Sequence, residues 1–213
     1  MELGADRITS LTLIGVGGIS TALLPALVRL RPRHVTLWDD DLISPENLVN
    51  QFFWKEADVG RPKAIVAAEW LLAAGVEANA VPDRYRGTPL FDTIVIAAVD
   101  SLESRRQIWR GVMSEESRVK LLLDGRLSRE TPFFLQLFVI STDDVSAPER
   151  YEPWLVGDGE ADTGRRNLDM VPAPLVLSGL ISTLVVRWSR GDDLPWQIMW
   201  DGAGMSLVSF ESK

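Results

Sequence analysis

The sequence predicts an α/β fold, and three observations carry the prediction. Leu11-Thr12-Leu13-Ile14 is a short apolar run that meets Gly15-Val16-Gly17-Gly18 and then an alanine- and leucine-rich stretch, the pattern of strand, tight turn and helix that opens a nucleotide-binding βαβ unit. A second short run, Arg33 to Asp39, ends in Asp39-Asp40-Asp41, placing acid 24 residues after Gly15, where a ribose-binding carboxylate falls in such units. Further apolar runs then alternate with helical segments as far as Asp124.

The glycines of the first turn have separate tasks. Gly15 and Gly17 let the chain turn off the strand and remove a Cβ where backbone amides and a helix N-terminus approach a phosphate or sugar. Ser20 stands where a third glycine is usual and is small enough for close helix–strand packing.

Taken in order, residues 11–15 form the first strand and 18–30 a helix, with Pro25 placed to kink it and remove one hydrogen bond. Residues 33–39 are the second strand, with His34 near its start, and Leu42 to Val59 is polar and less regular. Gly60-Arg61-Pro62-Lys63 starts the next helix, which runs from Ala64 to Ala74 and closes at Gly75. Strands follow over Val76 to Val81 and Phe91 to Val99, then a helix over Leu102 to Met113 and a strand over Val119 to Asp124. Thr131 to Ser141 alternates enough to be an antiparallel strand. Thr142 to Arg166, rich in Pro, Gly and acid, reads as a polar loop; Pro172 to Arg187 is an apolar helix, and Trp196 to Phe210 a hairpin turning near Asp201-Gly202. There is no internal repeat and no low-complexity tract.

Composition narrows the function. At 213 residues and 46% hydrophobic, the chain can bury a full core as one domain over residues 1–213. A net charge of −8 argues against nucleic acid or a membrane surface as general partner, and no apolar run approaches the length of a bilayer span, so a cytoplasmic protein is expected. With no cysteine there is no thiolate nucleophile, and with His34 as the single histidine neither a protein-ligated zinc site nor a Ser–His pair is expected. The eight tryptophans are expected mostly in the core.

Four stretches in this order and spacing resemble the ThiF/MoeB family of adenylating enzymes, relatives of the ubiquitin-activating enzymes. They are Gly15-Val16-Gly17-Gly18; Asp39-Asp40-Asp41 followed by Asn47-Leu48-Val49-Asn50-Gln51; Gly60-Arg61-Pro62-Lys63; and Asp100-Ser101 with Arg105. The late helix and Met199-Trp200-Asp201-Gly202 agree with the family as well. The resemblance implies a Rossmann-like, mostly parallel sheet with helices on both faces, extended by antiparallel strands. It implies ATP and Mg²⁺ as cofactors, a small ubiquitin-like or sulfur-carrier protein as partner and a homodimer. The reaction would be attack of a carboxylate on the α-phosphate of ATP, which needs positioning, a metal and positive charge more than covalent help.

Carried over residue by residue, Asp39 binds ribose, Gly15, Gly17, Gly18 and Asp41 belong to the nucleotide site, and Lys63 neutralises phosphate charge. Asp100 holds the metal, and Asn47, Asn50 and Gln51 contact phosphate or the adenine side. Arg105 is a further candidate, against the plain alternative of a surface ion pair. Two departures stand out. Asn50 occupies the place of the family's arginine and cannot supply its charge, and the cysteine that takes the acyl group in many relatives is absent. Arg7 is a poor replacement for the missing charge, which leaves Arg126 and Arg165-Arg166. Two rival readings stay open: an NAD-dependent oxidoreductase, for which Lys63 and Asp100 have no role, and a degenerate homologue that binds a nucleotide or carrier as a scaffold.

Overall fold

The computed structural model describes residues 10–128, 133–157 and 172–211. Arg7, Arg165 and Arg166 lie outside the described residues.

Eight strands form one sheet in the order β3-β2-β1-β4-β5-β6-β7-β8. β1 (Ser10–Ile14), β2 (His34–Trp38), β3 (Ala78–Val81), β4 (Ile94–Ala97) and β5 (Leu121–Leu127) run parallel. β6 (Phe134–Ser141), β7 (Pro195–Asp201) and β8 (Ser206–Glu211) extend the sheet antiparallel from β5. The chain leaves β1 toward β2 on one side and returns to β4 on the other, so a crevice opens at the carboxyl ends of β1 and β4.

Helices cover both faces because the central strands are apolar on both. Leu11 and Leu13 of β1, with Leu121 and Leu123 of β5, face one core with α1 (Gly18–Leu30), α3 (Lys63–Ala73) and α6 (Pro172–Arg190). Val95, Leu122 and Phe138 face a second core with α4 (Leu102–Val112) and α5 (Ala147–Tyr151). α1 is continuous through Pro25, which lies exposed.

Several expectations need correction. The strand expected over Phe91 to Val99 keeps regular pairing only over Ile94–Ala97, while β5 runs on through Gly125 and Arg126 to Leu127 because β6 supplies partners that a sequence window cannot see. The expected polar loop contains α5 and a 3₁₀ turn over Glu152–Leu155, anchored by the buried side chains of Tyr151 and Leu155. Of the eight tryptophans only Trp54 and Trp109 are buried, and Trp154 is 40% exposed. α6, at 19 residues, is long and apolar enough by length and composition to cross a bilayer, against expectation, yet Leu177 and Ile181 are fully buried where it packs on α1 and the sheet. Leu175 is exposed, and Val176 and Leu180 are half-buried. The larger apolar exposure is on the edge strand β8, where Leu207 on one face of the sheet and Val208 and Phe210 on the other are all exposed.

Candidate functional site

A cleft of about 1110 Å³ opens over the glycine turn. Its lining gathers Gly15, Gly17, Gly18, Asp39, Asp41, Gln51, Lys63, Asp100, Arg105 and Arg126 from six separate stretches of sequence. That volume accommodates a nucleotide.

The turn is shaped by close approach. Gly15 has φ +89°, and a Cβ there would lie 2.5 Å from the carbonyl oxygen of Ala98, so only glycine fits between β1 and the end of β4. Ser20, fully buried, donates its hydroxyl to the Gly15 carbonyl at 2.5 Å and so fixes the turn against α1. Gly17 caps α1 without a side-chain bond, leaving the first-turn N–H groups open toward the cleft, where they and the helix dipole favour an anion.

One wall is acidic with a lysine set into it. The Asp39 carboxylate accepts the backbone N–H of Val16 at 2.5 Å and of Asp41 at 2.8 Å. Burial pushes its pKa above the ordinary carboxylate value, against the opposing pull of Lys63 and the two N–H groups. Lys63 begins α3 just after Pro62; its Nζ donates to Asp41 Oδ2 at 2.7 Å, and its side chain is 7% exposed against 66% for Asp41. Lys63 also donates its backbone N–H to the Asp41 carbonyl at 3.0 Å, which holds the helix start against the strand end.

The opposite wall carries two arginines on one buried carboxylate. Arg105 is buried rather than on the surface: its Nε donates to Asp124 Oδ1 at 3.0 Å and its Nη groups to the carbonyls of Ser101 and Gly125. Arg126 Nε donates to Asp124 Oδ2 at 2.7 Å, and its guanidinium lies 4.6 Å from the centre of the Phe138 ring. Tyr151 completes the set, its hydroxyl donating to Asp124 Oδ2 at 2.9 Å. Burial alone would raise the Asp124 pKa; Arg105 and Arg126 more than reverse it, so the carboxyl is held below its ordinary value. Two cations on one anion leave the wall with net positive charge.

Asp100 stands exposed on the cleft at the end of β4. Ser101 caps α4 by accepting the Ser104 N–H at 3.1 Å, so the capping task falls to Ser101 and not to Asp100. Gln51 lines the cleft and accepts the indole N–H of Trp54 at 2.7 Å. Asn47 and Asn50 do not line it: the Asn47 side chain, at the start of the short helix α2 (Asn47–Asn50), accepts the N–H of Ser44 ahead of the helix at 3.0 Å, and Asn50 Oδ1 is buried without a hydrogen-bond partner among the described residues. α2 still borders the turn, since the Asn50 carbonyl lies 3.4 Å from where a Gly18 Cβ would be. Sequence reasoning missed Asp124 and Tyr151 as members of the site. Asp124 could have been found as a lone acid in an otherwise apolar strand; Tyr151 lay in a stretch with no such signal.

Residues 7–122 match the ThiF family. Among curated proteins, the NEDD8-activating enzyme E1 catalytic subunit of Dictyostelium discoideum is 35% identical over 101 residues, covering 45% of this chain and 23% of its own length. Ubiquitin-like modifier-activating enzyme 7 of Homo sapiens is 35% identical over 112 residues, covering 45% of this chain and 11% of its own. The chain thus spans a quarter or less of these relatives. Among solved structures, E. coli MccB with ATP superimposes with a TM-score of 0.72 at 14% identity, covering 98% of this chain and 66% of that one, and PaaA with 0.67 at 17% identity over 98% and 66%. The family match spans more than half of the chain and the fold match nearly all of it: this chain belongs to the ThiF family.

Proposed function

We propose that the chain catalyses ATP-dependent adenylation of a carboxylate at the end of a polypeptide, either a small ubiquitin-like or sulfur-carrier protein or a peptide. The observation that carries the reading is the cleft itself, which sets an acid–lysine wall and a doubly cationic wall on either side of an open helix N-terminus. A nucleotide has the matching pattern: ribose hydroxyls for Asp39, and phosphates for the helix end, Lys63 and the arginines. In the reaction a carboxylate oxygen attacks the α-phosphorus; the new O–P bond forms as the bond to the β-phosphate oxygen breaks, and pyrophosphate leaves with the electron pair. Charge accumulates on the phosphate oxygens, and cations already fixed in a buried wall stabilise it without reorganising. Asp100, exposed on the cleft, would hold Mg²⁺, which would supply further charge neutralisation.

The named relatives act in ubiquitin-like modifier activation, and solved structures of MccB include one with MccA. The exposed apolar residues of β8 give a homodimer a surface to bury.

ATP–pyrophosphate exchange with candidate carriers tests the reading, beside titration with Mg-ATP and NAD. Mg-ATP is expected to bind in preference to NAD, and Asp100→Ala to lower exchange by about a hundredfold or more with an unchanged thermal midpoint. Tighter binding of NAD would sink the proposal. Asn50, in the place of the family's arginine, favours a second reading, a nucleotide-binding scaffold; that reading expects ATP binding with no exchange for any carrier.

A further inference from the structure

We propose that Tyr151 is a positioning residue for the phosphate-binding charge, acting through Asp124 on Arg126; the inference rests on the adenylation reading and identifies where the charge absent at Asn50 comes from.

Packing does not require the hydroxyl of Tyr151. The ring is 2% exposed and meets Trp109 and Phe138 with centroids 5.0 and 5.6 Å away, contacts that phenylalanine would make equally well. The hydroxyl instead goes to Asp124 Oδ2, the oxygen that also receives Arg126 Nε. Asp124 therefore has three side-chain donors, with Arg105 on its other oxygen, and cannot rotate without breaking one of them. A carboxylate held in that way fixes the plane of the guanidinium bound to it.

The second grip on Arg126 comes from the same segment. Three residues beyond Tyr151, the Trp154 carbonyl accepts Arg126 Nη1 at 3.0 Å. This segment is in turn tied to α4, because Trp109 donates its indole N–H to Glu152 at 3.0 Å and Arg106 Nε donates to the Leu155 carbonyl at 2.9 Å. Nε and Nη1 are thus occupied, while Arg126 Nη2 is buried with no hydrogen-bond partner among the described residues. An unmet buried donor on a cation is costly, and a phosphate oxygen is the acceptor that relieves it best. The location suits: Arg126 lines the same cleft as Gly17, Gly18 and Ile19 at the first turn of α1, the helix end that would receive the anion.

The test compares Mg-ATP with adenosine by calorimetric titration. Adenosine has the base and ribose but no phosphate, so a defect confined to phosphate charge separates from general damage to the cleft. Tyr151→Phe is expected to weaken Mg-ATP about three- to tenfold, the worth of one hydrogen bond, and to change adenosine by less than about twofold. Arg126→Gln should show the same selective loss, and the double variant should lose no more than Arg126→Gln alone, because Tyr151 acts through Arg126. Arg126→Lys keeps the charge but cannot hold Asp124 and Trp154 at once, so it should lose Mg-ATP affinity as Gln does; this arm stands even if Tyr151→Phe fails to fold. Equal losses for Mg-ATP and adenosine in Tyr151→Phe, additive losses in the double variant, or wild-type affinity in Arg126→Lys would each overturn the positioning role alone. A wild-type protein that binds Mg-ATP no better than adenosine would overturn the nucleotide reading, and this inference with it.

Discussion

The two walls of the cleft hold their cations in opposite ways. Lys63 is buried, but its partner Asp41 is two-thirds exposed, so that pair sits at a water boundary and one side chain can swing away at small cost. Arg105 and Arg126 share Asp124, which has no exposed surface, and the partners of that carboxylate come from α4, from β5 itself and from α5. A buried carboxylate between two guanidiniums is expensive to assemble and more expensive to break. The difference separates two tasks: the first wall can exchange a protein carboxylate for a ligand, and the second keeps fixed charge in place before any ligand arrives.

The largest expected effect follows from breaking the fixed wall. Asp124→Ala leaves the buried Arg105 and the half-buried Arg126 without their anion and should destabilise the fold by about 3–5 kcal/mol in urea denaturation. Asp41→Ala, removing an exposed partner, should cost less than about 1 kcal/mol in the same measurement. If the two variants lose similar stability, the contrast between the walls is not one of rigidity.

Acid should take the walls apart in order. Asp39 has a pKa above its ordinary 3.8 because burial disfavours its charge, and Asp124 one below it because two arginines outweigh burial. For Asp124 the unfolded chain binds the proton more readily, so its contribution to stability is complete above the unfolded value and is lost as pH falls through the depressed folded value. For Asp39 the sign is reversed: the folded state takes the proton first, as pH falls through the raised value. If Asp39 accepts ribose hydroxyls, as proposed, it must be ionised to do so, and nucleotide affinity is therefore expected to fall about tenfold per pH unit while the fold is still intact. Titration with Mg-ATP alongside far-ultraviolet circular dichroism across the acid range would show it; coincident loss of binding and structure would contradict the order.

The two walls also differ in how far they could be read from the sequence. Asp39, Lys63 and the glycines belong to local patterns in which a strand end, a helix start or a tight turn fixes the residue within a few positions, and these the chain announces. The parallel order of the first five strands follows from the same local units, and ThiF-like motifs point to the whole sheet. The second wall is assembled from residues 105, 124, 126 and 151, which meet only because β5 lengthens against β6 and α5 folds beneath them. No local period encodes that meeting. Tyr151 sits in a stretch whose proline and acidic residues read as loop, and what folds it is burial against Trp109 and Phe138, a tertiary effect. Arg105 was visible, but its burial was not, since a helix rich in arginine and glutamate reads as a solvated face. Asn47 shows the converse: a residue singled out by its motif position, whose side chain closes its own turn instead of lining the cleft.

The smallest expected effect tests whether the first wall is an exchangeable one. Asp41 offers two backbone services that survive substitution, since its N–H donates to Asp39 and its carbonyl accepts the Lys63 N–H. Asp41→Asn keeps both and removes only the negative charge opposite Lys63, so the lysine keeps its place at the start of α3 and its own charge while losing a competitor for its amine. If phosphate must displace Asp41 from Lys63, the substitution lowers what the ligand has to break, and Mg-ATP should bind about twofold tighter, in keeping with the modest worth of a pair with an exposed member. Adenosine, which does not need the amine, should bind as before. Weaker binding of both ligands would mean that Asp41 contacts the nucleoside itself, as its place in the acidic cluster suggests from sequence, and that Lys63 and Asp41 act together on the ligand. Weaker binding of Mg-ATP alone would leave one explanation, a metal held with help from the Asp41 carboxylate, and a Mg²⁺ titration at fixed ATP would then separate Asp41→Asn from wild type by a raised requirement for the metal.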